Sequence, residues 1–146
     1  MTDKVTTACL AVLGLVGLQL GVWATFAPRS FFDDFPGGGR QWVAADGPYN
    51  EHLVRDFGSL NLALAAVVGV ALVTRAPAAI RAAALAWLVY SIPHFVYHVR
   101  HRDLYDMDDK VLNLVSLAGS VVLPAIVLWL SLRRPSRATS GAATTS

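Results

Sequence analysis

One cysteine, Cys9, is the only thiol in a chain of 146 residues. A lone thiol excludes an intramolecular disulfide, a CxxC redox pair and a thiolate metal cluster. Charge is also scarce, at 15% of residues, where soluble domains carry about 25%. The net charge of +2 is too small to mark a nucleic-acid surface, and no basic stripe interleaved with aromatics is present. There is no phosphate-cradling glycine loop and no GxSxG nucleophile turn. Internal repeats are absent, as are the paired broken helices of many transporters.

What the chain has in excess is apolar length, with 55% hydrophobic residues. They gather in four segments, near Val5–Phe26, Leu53–Val73, Ala78–Val99 and Val111–Leu132. Each is long enough to cross a hydrocarbon layer of roughly 30 Å as a helix of about 20 residues. Helices are expected because spanning strands would need a closed barrel. The expected fold class is therefore all-α, an integral membrane four-helix bundle over residues 1–134. Residues 135–146 are rich in Ser, Thr and Ala and read as a disordered tail. The first segment reads as a retained anchor rather than a signal peptide, since Pro28 follows its only small-residue cleavage candidate at Ala27. Thr74–Pro77 reads as a tight turn that makes the second and third spans antiparallel neighbours. Residues 27–50 read as a long extracytoplasmic loop between the first and second spans. Its Phe31, Phe32, Phe35, Trp42 and Tyr49 suggest a packed cap.

Lys and Arg divide six against six between the two faces. Those on the side of Lys4, Arg75, Arg81, Arg133, Arg134 and Arg137 are opposed only by Asp3, whereas the other side interleaves its cations with nine acids. That context favours a multi-pass protein of the inner (plasma) membrane with both termini cytoplasmic.

All four histidines fall at the outer boundary. At about 100° per residue, His94, His98 and His101 share a narrow arc of the third span, and Trp87, Tyr90 and Tyr105 project onto it. His52 and Asp56 lie one turn apart on the second span, whose outer end should meet that of the third. Imidazoles and a carboxylate are transition-metal ligands. The expected metal ligands are His52, Asp56, His94, His98 and His101, with Glu51, Arg55, Tyr90 and Tyr97 around them. A nitrogen-rich set outside the cytoplasm favours Cu or Zn, with Fe as a further option. Arg100 and Arg102 argue against an ion at His101. Asp46 or Asn50 is expected to cap the second span. Asp103, Asp106, Asp108 and Asp109 lack the order of a calcium loop and read as a solvated turn. Gly17 and Gly21 permit close helix approach, and Gln19, Asn61, Asn113, Ser116 and Ser120 are expected to hydrogen-bond between helices.

Three words carry a resemblance. They are Phe32-Asp33-Asp34-Phe35-Pro36, the run Gly47-Pro48-Tyr49-Asn50-Glu51-His52-Leu53-Val54-Arg55-Asp56, and Pro93-His94-Phe95-Val96-Tyr97-His98-Val99-Arg100-His101. They resemble a group of small four-span integral membrane proteins of actinobacteria. The architecture is also similar to that of DoxX-like proteins, without a matching functional motif. The resemblance implies fold and membrane location and carries no activity.

Two functions of different class follow as expectations. One is a membrane protein with a His/carboxylate metal site at the extracytoplasmic boundary, extending to a metal-dependent enzyme that activates water or dioxygen. The other is an accessory or assembly subunit of a larger membrane complex, with the Gly17/Gly21 face and the aromatic loop as contact surfaces. A small-solute or lipid carrier is a third. Partners in all cases are the lipid bilayer and either a homo-oligomer or a larger complex, with no nucleic acid.

Overall fold

The computed structural model describes residues 2–133, and the tail at 135–146 lies outside them. Four long helices are α1 (Thr2–Phe26), α3 (Glu51–Thr74), α4 (Pro77–Arg100) and α5 (Met107–Leu132), with a short α2 (Pro28–Asp34) after the first. Each long helix is apolar and long enough to cross a membrane. Large apolar side chains face outward all round, among them Leu15, Val73, Val89 and Val115. Such a belt is costly against water and neutral against lipid tails.

Local chemistry sets the helix ends. Asn50 caps α3, its Oδ1 accepting from the Leu53 backbone N–H at 3.1 Å. Arg75 closes α3 in the left-handed region (φ 52°), and Pro77 then starts α4. Pro lacks the N–H that a first helical turn leaves unused. At the same end Arg81 donates to the Ser131 carbonyl at 3.0 Å, tying α4 to the last turn of α5.

The bundle is two tight pairs, α1 with α3 and α4 with α5, which meet each other less extensively. Glycine explains the first pair. A methyl group on Gly21 would sit 2.8 Å from the Leu62 nitrogen, and one on Gly58 2.6 Å from the Thr25 nitrogen. Only hydrogen fits where the two backbones approach so closely. Gly17 and Gly21 thus pack within the chain, so the partner surface expected of that face is already occupied. The core between the pairs centres on Leu10, Leu13, Leu64, Val68, Ile80 and Trp87.

The expected long loop between α1 and α3 is instead a folded roof. It consists of α2, a two-residue hairpin of β1 (Pro36–Gly37) and β2 (Arg40–Gln41), and a 3-10 turn at Ala44–Asp46. The roof has its own core, in which Phe31, Phe32, Ala24 and Val54 are buried with Trp23, Phe35 and Phe57 packed around them. Edge-on and tilted contacts join Trp23 to Phe31 at 5.6 Å and Phe31 to Phe35 at 4.8 Å between ring centroids. Apolar content of this density orders a segment that would otherwise be loop.

Candidate ligand cavity and histidine column

The roof is fastened at three points, to α4, to α5 and to the connection between them. Tyr97 donates its hydroxyl to Asp46 Oδ1 at 3.0 Å. Tyr105 donates to the Trp42 carbonyl at 3.2 Å. Arg40 Nε meets Asp109 Oδ1 at 2.7 Å. Burial raises the Tyr105 hydroxyl to a pKa of about 12, helped by the charges of Asp46 and Asp109. It therefore stays a donor through the physiological range.

Under the roof, between the two helix pairs, lies a cavity of about 460 Å³. Small-molecule sites run from roughly 300 to 1,000 Å³. Every long helix contributes to the wall: Val16 and Leu20 from α1, Leu53, Val54 and Phe57 from α3, Trp87 to His98 from α4, Asn113 to Ser120 from α5. Leu20, Phe57, His94 and Asn113 share one level, about six residues from the roof-side ends of their helices. At 1.5 Å per residue that is a depth of about 9 Å.

A column of rings forms the α4 wall. Trp87 meets Tyr90 edge-on at 6.1 Å, Tyr90 stacks on His94 at 5.4 Å, and His94 meets His98 edge-on at 4.8 Å. His98 stacks on Tyr105 at 6.2 Å, and its Nδ1 lies 3.4 Å from the Tyr105 hydroxyl. These are the residues that helical periodicity places on one arc. His94 and His98 both face the cavity, and Asp46 faces it from the roof.

The other expected ligands are elsewhere. His52 and Asp56 form a pair of their own at 3.4 Å, with side chains 86% and 62% exposed. At 100° per residue they cannot share the inward face held by Val54, Phe57 and Asn61. His101 ends α4, where the helical period stops. It turns back to stack on Tyr97 at 4.1 Å, with Nδ1 at 2.9 Å from the Tyr97 carbonyl. Glu51 and Arg55 pair at 2.8 Å, and Arg55 also donates to the Thr25 carbonyl, joining α3 to α1. Among the described residues no three His, Cys, Asp or Glu converge where one metal ion would fit. The five residues expected as one ligand set thus divide into a cavity pair, an exposed pair and a helix cap.

Asn113 and Asp46 are the residues that sequence reasoning missed. Asn113 is 6% exposed, and its side chain has no hydrogen-bond partner among the described residues. Ser116 and Ser120, expected to bond across helices, donate to the Leu112 and Leu117 carbonyls of their own helix. Asn61 donates to the Phe57 carbonyl of its own helix and, as expected, also reaches across to α4, where it hydrogen-bonds the Tyr90 side chain. The signal for Asn113 was its register, one face shared with Ser116 and Ser120. Compared with known proteins, the chain matches no family model, no curated protein and no solved structure.

Proposed function

We propose that this chain is a plasma-membrane protein, with both termini cytoplasmic, that binds a small hydrophobic or amphiphilic molecule in the roofed cavity. The carrying observation is the roofed cavity itself, walled by all four long helices and mostly apolar, with the Asn113 amide on its wall. Asn113 makes no side-chain hydrogen bond among the described residues, so a ligand with a complementary polar group would give its amide a partner. Lys4, Arg75 and Arg81 at the inner end, nearly free of acids, support the orientation. His94, His98 and Asp46 supply polar contacts near the roof.

The test is titration of a neutral, environment-sensitive lipophilic dye into protein held in lipid nanodiscs. Leu117→Trp, which fills the cavity, is expected to weaken binding at least about tenfold. Equal binding to the variant and the parent would refute the reading.

A second reading keeps the metal, on one observation: His94 and His98 present two imidazoles with centroids 4.8 Å apart. Two protein ligands fall short of the four usual for structural Zn and the three usual for catalytic Zn. Water or the bound molecule would have to complete the shell. Elemental analysis of purified protein, repeated on the His94→Ala/His98→Ala double variant, tests it. Stoichiometric Cu, Zn or Fe lost in the variant is the expected result, and equal metal in both proteins removes this reading.

A further inference from the structure

Asp46 gives the cavity its electrical sign. Among the described residues it is the only Asp, Glu, Lys or Arg side chain in the wall. Other acids at this end have cationic partners, Asp33 with Arg29, Glu51 with Arg55, Asp103 with Lys110 and Asp109 with Arg40, and none of those four lines the cavity. Asp46 has no Lys or Arg partner among the described residues. One of its oxygens accepts the Tyr97 hydroxyl, and His94 and His98 line the same cavity.

The rest of the wall reinforces that sign. Phe31, Phe35, Trp42, Phe57 and Tyr90 all line the space. Aromatic faces carry negative electrostatic potential and attract cations, most strongly where water is excluded. An anionic headgroup would meet a carboxylate and no counter-charge. A neutral molecule would make no use of the carboxylate, which stands exposed at the rim of the cavity. Resting on the cavity's being a binding site, the geometry points to an organic cation as its occupant, an ammonium carried on a hydrocarbon body. Phospholipid ammonium headgroups carry a phosphate as well, for which this wall has no donor of positive charge.

The experiment is calorimetric titration of nanodisc-embedded protein, corrected against empty nanodiscs, at about pH 8, where an ordinary imidazole is uncharged. The probes are hexyltrimethylammonium, its neutral isostere with carbon in place of nitrogen, and hexylphosphocholine. The cation is expected to bind about tenfold tighter than the isostere. Asp46→Asn keeps an oxygen for Tyr97 and removes the charge, so the ratio should fall to near one. Asp103→Asn, whose side chain is 92% exposed and outside the cavity wall, should leave it unchanged. Equal binding of cation and isostere by the parent protein overturns the inference and leaves the cavity reading standing, and that outcome does not depend on any variant folding. A preference that survives Asp46→Asn overturns it too. Phosphocholine binding as tightly as the simple cation overturns the exclusion of phosphate. Failure of all three probes to bind overturns this inference together with the reading it rests on.

Discussion

Two polar pairs, each spaced by one helical turn, sit near the roof-side ends of neighbouring helices, His52 with Asp56 on α3 and His94 with His98 on α4. Residue type, spacing and depth are nearly alike, and the surroundings are opposite. His94 stands between Tyr90, Phe57 and His98 in the cavity wall. The side chain of His52 is 86% exposed and touches Asp56. Helical spacing fixes which residues share a face, but the rest of the face decides where it points. On α4 the column continues into Trp87, which is 1% exposed, so the face is inward. On α3 the inward face belongs to Val54, Phe57, Gly58 and Asn61, which lie between the polar pair and beyond it in sequence.

The largest expected contrast is in chemical access. In a Cys9→Ala background, His52→Cys should react with a membrane-impermeant maleimide at least about a hundredfold faster than His94→Cys, because access governs thiol labelling. Similar rates would erase the distinction between the pairs. The next contrast is in stability and concerns adjacent residues on α3. Phe57→Ala removes a ring that contacts Phe31, Tyr90 and His94, and should cost about 2 kcal/mol in reversible unfolding in mild detergent. A loss under about 0.5 kcal/mol would mean that the ring wall bears little of the packing.

A smaller effect is expected from alkali. The fold raises the Tyr105 pKa from 10.0 to about 12. Raised values favour the protonated phenol, so its contribution is complete below about pH 10 and is lost as pH climbs toward 12. Tyr105→Phe should therefore flatten the part of the alkaline loss that Tyr105 causes, read as melting temperature against pH, and an unchanged profile would count against the roof tie. Smallest of all, Asp56→Ala should shift stability by less than about 0.5 kcal/mol, since exposed ion pairs contribute little. A larger loss, measured by the same unfolding, would show that the exposed pair has a buried partner in the membrane.

The four long helices were legible because apolar runs of this length have few other uses, as at Val111–Leu132. So was the column from Trp87 to His98, since helical periodicity is a local property. Sidedness of α3 was not, because His52 and Asp56 are as polar as any ligand and only the packing of Phe57 and Asn61 reveals the inward face. The roof was half legible. Its aromatics announced packing, but β1 and β2 are two residues each, too short to leave a periodic trace. The cavity left no trace at all, since a void is defined by helices far apart in the chain. Asp46 reads locally as a helix cap, and it is Asn50 that caps α3 while Asp46 takes Tyr97.

The three fastenings of the roof also impose an order of assembly. Asp46, Trp42 and Arg40 find their partners at Tyr97, Tyr105 and Asp109, all in the later half of the chain. During synthesis the roof can pack against α1 and α3, which supply Ala24 and Val54 to its core, before α4 and α5 bring these three partners. A half-made chain therefore holds its aromatic lid by apolar packing alone, and the polar ties come last.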